Sequence, residues 1–156
     1  MPFVKVYVDE GEYDEYIENN KGAEIIKCPK GIQGNVSRVR NYILDTEFEN
    51  GAEVVCIIDD DMKGIYEFTY NNGFAYKDRL VEKEEIFEFI EHYTRLCKEF
   101  GFKLWGININ QDKLGYKHCC PFNTKAIILG PFSCHLPNDI RYDEKLPLKE
   151  DYDLAI

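Results

Sequence analysis

The chain has 156 residues, 44% of them hydrophobic and 31% charged, which excludes a disordered, collagenous or membrane-spanning chain and fits one domain with one sizeable core. Nineteen Lys and Arg stand against 29 Asp and Glu, a formal charge of -10, so there is no bulk attraction to nucleic-acid phosphates and a polyanion must bind a local patch. No apolar run reaches the length of a bilayer span, and the opening MPFVKVYV lacks the basic flank and apolar core of a signal peptide, so the expected compartment is the cytoplasm.

The pattern predicts a strand over 3–8, a polar outer helix over 12–19, and a second strand over 23–28 that carries Ile25 and Ile26. Gly31 and Gly34 mark a loop. Asn35 is the expected N-cap of a helix with Val36, Val39 and Ile43 at i, i+3 and i+7, and Gly51 is its stop. The nearly unbroken apolar run 54–58 has the composition of a strand covered on both faces, as in a central parallel strand. Together these elements make a βαβαβ unit, and the expected fold is a single α/β domain. The polar and aromatic stretch 63–79 reads as loops that admit a hairpin. Ile86, Phe89, Ile90, Tyr93, Cys97 and Phe100 trace one face of a helix that Gly101 ends. Further strands are expected over 103–108, 125–129 and 132–135.

Six cysteines, Cys28, Cys56, Cys97, Cys119, Cys120 and Cys134, form no C-x-x-C pair, and reduced, mostly buried thiols are expected. His118, Cys119, Cys120, Cys134 and His135 cluster in sequence, but adjacent cysteines point opposite ways in a strand and the spacing fits no common zinc pattern.

Asp59, Asp60 and Asp61 follow the apolar run directly. In open α/β sheets ligands bind beyond the carboxyl ends of strands, which is where this triplet falls. In extended geometry Asp59 and Asp61 share a side, roughly 7 Å apart at their α-carbons, and one Mg²⁺ or Mn²⁺ draws on both. Such a hard cation completes its shell with waters and phosphate oxygens, which implies a nucleoside diphosphate. An acidic turn capping the next segment is the plainer explanation. The glycines of the loop 30–35, Gly34 among them, allow close backbone approach, and Arg38 and Asn41 share a helical face suited to donor phosphates or sugar hydroxyls. Arg40 suits a surface pairing with Glu47 or Glu49. Near the C-terminus Glu150, Asp151 and Asp153 lie beside apolar residues; one of them would serve as a general base, against the plainer reading of a solvated helix start capped by Asp151.

The motifs V-Y-V at 6–8, G-x-x-x-R-x-R-N-x-I-L-D from Gly34 to Asp45, I-I-D-D-D-M at 57–62, N-T at Asn123 and Thr124, and K-E-D-Y-D-L at 149–154 resemble those of GT-A glycosyltransferases. Within that fold the chain is most similar to the TET-associated glycosyltransferases of phages and their relatives. The resemblance implies a three-layer, Rossmann-like sandwich with a mostly parallel central sheet, and metal-dependent transfer of a sugar from a UDP-sugar-like donor. It puts the metal at Asp59 and Asp61 and the acceptor base at Glu150 or Asp151. The implied acceptor is a hydroxymethylated or hypermodified pyrimidine in DNA, which the net charge does not support. Donor contacts would come from Asp9, Glu10, Gly34, Arg38, Asn41 and Asp60, with Trp105, Asn108 and Asn110 in a sugar or acceptor pocket. GT-A enzymes continue past the acidic motif where this chain stops at Ile156, so a truncated or minimal version is expected. Two alternatives remain open: a haloacid dehalogenase-type phosphohydrolase with Asp59 as nucleophile, and a nucleotide-binding module without turnover.

Overall fold

A computed structural model describes residues 4–72, 74–116, 120, 122–146 and 148–154. In chain order the elements are β1 (Lys5–Val8), α1 (Tyr13–Asn19), β2 (Glu24–Lys27), α2 (Val36–Glu49), β3 (Val55–Ile58), β4 (Tyr66–Asn71), β5 (Phe74–Leu80), α3 (Lys83–Glu99), β6 (Leu104–Gly106), a 3-10 turn (Lys113–Gly115), β7 (Phe132–His135) and α4 (Glu150–Leu154). They fall into two compact units: the chain up to Ala52 together with Asp139–Leu154, and Glu53–Asn138.

In the first unit β1 and β2 pair in parallel, with Val6 opposite Ile25, and α1 supplies the crossover that parallel pairing requires. Cys28 N–H donates to Val8 O at 2.8 Å, which carries the ladder one step further. The expected α2 signals are in place. Asn35 Oδ1 accepts the Arg38 N–H at 3.1 Å, and Gly51 takes a φ of +85° that favours glycine at a helix stop. The buried stripe differs from expectation: it is Ser37, Arg40, Asn41 and Leu44, whereas Val36 is 54% exposed. Arg40 and Asn41 on that stripe find partners at Glu150 and Tyr142, so they are buried without being apolar.

The second unit is built on the sheet β3-β7-β6, antiparallel throughout, beside the β4–β5 hairpin. Val81 N–H donates to Ile65 O at 2.8 Å at the base of that hairpin. Ile65, Val81, Phe132 and Cys134 form the core cluster, with Ile86, Phe89 and Ile90 of α3 packed against it. A capping box between Glu82 and Glu85 starts α3, and Gly101, at a φ of +77°, follows its end.

Four expectations are corrected. The central sheet is not mostly parallel: β1–β2 is the only parallel pair among the described residues, and β3 pairs antiparallel with β7. Apolar composition reports burial and carries no strand direction, so the run 54–58 reads alike in either setting. The strand covered on both faces is β7, whose four residues are all buried, whereas β3 has its buried positions at Val55 and Ile57. No strand forms over 125–129; an Asx turn, Lys125 N–H to Asn123 Oδ1 at 2.8 Å, bends the chain there. Cys56 and Cys134, directly opposed across β3 and β7, form a disulfide rather than two thiols, while Cys28 and Cys97 stay reduced and buried as expected. Phe3, His118 and Cys119 lie outside the described residues. No helix among the described residues is long and apolar enough to cross a membrane.

Candidate functional site

The acidic triplet in the second unit leaves β3 at its carboxyl end and turns at once. Asp59 N–H donates to Pro131 O at 3.0 Å, tying the turn to the residue before β7, and Met62 N–H donates to Asp59 O at 3.3 Å. Asp60 and Asp61 thus occupy the two central positions of a tight turn and are exposed, with Asp59 half-buried behind them. Turning replaces the extended arrangement that would set Asp59 and Asp61 on one side. Neither Asp60 nor Asp61 has an ion-pair partner among the described residues, and no three His, Cys, Asp or Glu side chains there converge on a metal-sized point. Two carboxylates suffice for Mg²⁺ or Mn²⁺ when waters and a diphosphate supply the remaining oxygens.

In the first unit the R-x-R-N segment meets the C-terminal segment. Asn41 pairs with the Tyr142 backbone twice: its Nδ2 donates to Tyr142 O at 2.9 Å and its Oδ1 accepts Tyr142 N–H at 2.9 Å. Arg40 Nη1 donates to Glu150 Oε1 at 3.2 Å, with the guanidinium carbon 5.6 Å from the centre of the Tyr142 ring. Glu150 is therefore a partner of Arg40, which is buried and not the surface residue expected. Asn35 Nδ2 donates to Glu144 O at 2.8 Å, Arg38 Nε lies 3.6 Å from Glu144 Oε2, and Arg141 Nε donates to Asp45 Oδ1 at 2.7 Å. Tyr142, Glu144 and Arg141 drew no attention in the sequence, because a pairing across about a hundred residues leaves no periodic trace. Asp151 follows Glu150 on α4 and is half-buried, and Asp153 is exposed.

At the end of β1, Asp9 Oδ1 accepts the Gly11 N–H at 2.8 Å and Glu10 pairs with Lys27 at 3.0 Å. Arg38 remains half-exposed near the amino end of α2, and Gly34 holds a φ of +93° beside it. Lys5 Nζ donates to both Glu47 oxygens at 2.8 and 2.9 Å, and the Tyr7 hydroxyl donates to Glu47 Oε1. Partial burial pushes the Glu47 carboxyl up, but the Lys5 and Tyr7 donors outweigh it and hold the group below the usual carboxylate range. Burial, then the bond to Glu47, pushes the Tyr7 hydroxyl well above its ordinary value. Burial also raises the Cys28 thiol, with Asp9 adding to the effect.

Trp105 belongs to the core: its indole N–H donates to Thr94 Oγ1 at 3.1 Å and its ring lies 5.6 Å from that of Phe132. Asn108 and Asn110 are exposed and fold the loop on itself, each accepting a backbone N–H two residues on at 2.9 Å. No family model, curated protein or solved structure matches the chain.

Proposed function

We propose that this chain is a metal-dependent glycosyltransferase that moves a sugar from a nucleotide-sugar donor, a UDP-sugar in the first instance, to a hydroxyl acceptor. The observation that carries the reading is the acidic turn: three consecutive carboxylates beyond the carboxyl end of β3, two of them exposed, on backbone fixed by the Asp59–Pro131 hydrogen bond. Oxygen ligands of this kind suit Mn²⁺ or Mg²⁺, and Asp59 and Asp61 are the protein ligands proposed for it, by their chemistry and without the shared side that an extended strand would give them. When bound, the cation stabilises the negative charge that grows on the departing diphosphate. Within the first unit, Arg38 and Gly34, with Asp9 and Glu10, are donor contacts that the resemblance alone implies, each to be tested by substitution.

Asp151 or Glu150 is the candidate general base: in the proposed reaction the acceptor hydroxyl gives up its proton to a carboxylate as its oxygen bonds to the anomeric carbon, while the bond from that carbon to the diphosphate oxygen breaks. The resemblance to TET-associated glycosyltransferases supports a hydroxymethylated pyrimidine in DNA as the acceptor to try first. Asn41, buried against Tyr142, supports the donor side only indirectly, by fixing the helix that bears Arg38.

The test is incubation with Mn²⁺, a panel of UDP-sugars and DNA containing 5-hydroxymethylcytosine, with UDP release and DNA mass as readouts. Metal-dependent UDP release, with or without a sugar-sized mass gain on the DNA, supports the reading. Absence of release from every donor, with hydrolysis of a phosphate monoester instead, would turn it to the phosphohydrolase.

A further inference from the structure

We propose that Glu144 is an internal competitor for a phosphate-class anion: its carboxylate rests against Arg38, and a phosphate or diphosphate binds Arg38 by displacing it. That the anion belongs to a sugar donor rests on the transferase reading above; the competition itself does not. All the residues concerned lie in the first unit.

Glu144 sits in a turn that its neighbours fix. Leu146 N–H donates to Asp143 O at 3.2 Å, and Lys145 N–H donates to Asp143 Oδ1 at 2.9 Å. Glu144 O accepts Asn35 Nδ2 at 2.8 Å, and the same Asn35 caps α2 through its Oδ1. With the backbone so held, the Glu144 side chain is a rotatable arm on a fixed base. Its tip meets two donors of α2. Oε1 accepts Asn41 Nδ2 at 3.2 Å, and Oε2 stands 3.6 Å from Arg38 Nε. The first contact parks the arm. The second is longer than a hydrogen bond and joins two nearly half-exposed side chains, the kind of ion pair that contributes little and exchanges readily.

Arg38 has donors to spare. A guanidinium carries five N–H groups in a fork that matches phosphate oxygens, whereas Glu144 engages it at Nε alone. Nη1 reaches Gly31 O at 3.4 Å, and the side chain has no further partner among the described residues. The adjoining loop leaves room, since a Cβ on Gly31 or Gly34 would meet no atom within 4 Å. The first turn of α2 holds no acid of its own, so the negative charge that a helix start favours comes from Glu144, outside the helix. A diphosphate brings more charge and more oxygens to the same place than one carboxylate does.

The experiment is calorimetry of inorganic pyrophosphate and of UDP, with EDTA present, on the whole native chain and on Glu144→Gln, Glu144→Ala, Arg38→Gln and Glu49→Gln. Glu144→Gln removes the charge yet keeps an oxygen for Asn41, and should bind pyrophosphate about fivefold tighter or more. Glu144→Ala should shift the same way. Arg38→Gln should bind about tenfold weaker or less than that. Glu49 is exposed and lies about 16 Å further along α2 than Arg38, so Glu49→Gln makes an equal change of charge and should bind as the native chain does. A parallel gain for UDP assigns the anion to a nucleotide; a gain for pyrophosphate alone supports the competition with a free anion as the ligand.

Pyrophosphate binding no tighter than native in both Glu144 variants overturns the proposal. So does a gain that Glu49→Gln matches, an affinity that Arg38→Gln leaves unchanged, or no binding by any of the proteins. UDP release from UDP-glucose with Mn²⁺ is read separately. If the native chain releases none from any donor, the transferase reading falls, and the metal-free titration still decides whether Glu144 competes for Arg38.

Discussion

Glu47 collects two donors, Lys5 and Tyr7, and the two titrations act at opposite ends of the pH scale. Its own pKa is depressed on folding, so its contribution is present above the unfolded value of about 4.3 and is lost as pH falls through the lower folded value. Tyr7 is raised, so its contribution is present below about pH 10 and is lost as pH climbs through the higher folded value. Tyr7→Phe should therefore cost about 2 kcal/mol at neutral pH, the worth of a hydrogen bond to a charged acceptor, and should flatten the alkaline limb of the stability profile. Urea unfolding at pH 7 and above pH 10 checks both. An alkaline limb as steep in the variant as in the native chain would contradict the assignment. At this scale the sequence read Asn41 as a donor contact and Arg40 as a surface residue pairing with Glu47 or Glu49, whereas both are buried and bond to Tyr142 and Glu150. An Arg or Asn is legible as a binder of something; that the something is residue 142 or 150 depends on tertiary return of the chain, which no local pattern encodes.

Most elements were legible from local signals, strands included, and what was not legible is which strands pair and in which direction. The ends of α2 follow from Asn35 and Gly51, and the face of α3 from the spacing of Ile86, Phe89 and Ile90, each a matter of a few residues. The partner and direction of β3 come instead from β7, a strand more than seventy residues on, whose sequence F-S-C-H reads as a strand without naming its neighbour. One glycine does mark that sheet. A Cβ on Gly106 would stand 2.7 Å from Phe132 O and 2.5 Å from Ile128 Cγ2, so β6 approaches β7 only because nothing intervenes. Gly106→Ala should destabilise the chain by about 2 kcal/mol, since a backbone oxygen cannot step aside as a flexible side chain does. The urea midpoint measures it; a midpoint equal to that of the native chain would mean the two strands can separate at little cost.

For the molecule as a whole, the place of the acidic triplet at the end of β3 was legible and the sheet architecture was not. Three consecutive acids at a strand end are visible in any alphabet, whereas the separate small sheets that replace the expected parallel one are a matter of which strands meet. The Cys56–Cys134 bond illustrates the same divide. Each cysteine reads as a buried hydrophobe, and only the register of β3 on β7 sets them opposite. Closing a loop of 78 residues restricts the unfolded chain enough to contribute about 4 kcal/mol. Urea unfolding with and without dithiothreitol should therefore show a clear loss of stability on reduction, and matching midpoints would contradict a disulfide in the folded chain. The functional account rests in turn on a cation held by the acidic turn against a donor diphosphate. Calorimetry of UDP-sugar binding with Mn²⁺ to the native chain and to Asp61→Asn tests it most directly. The account predicts metal-dependent binding by the native chain and its loss in Asp61→Asn, with the urea midpoint unchanged; equal donor affinity in the two proteins would contradict it.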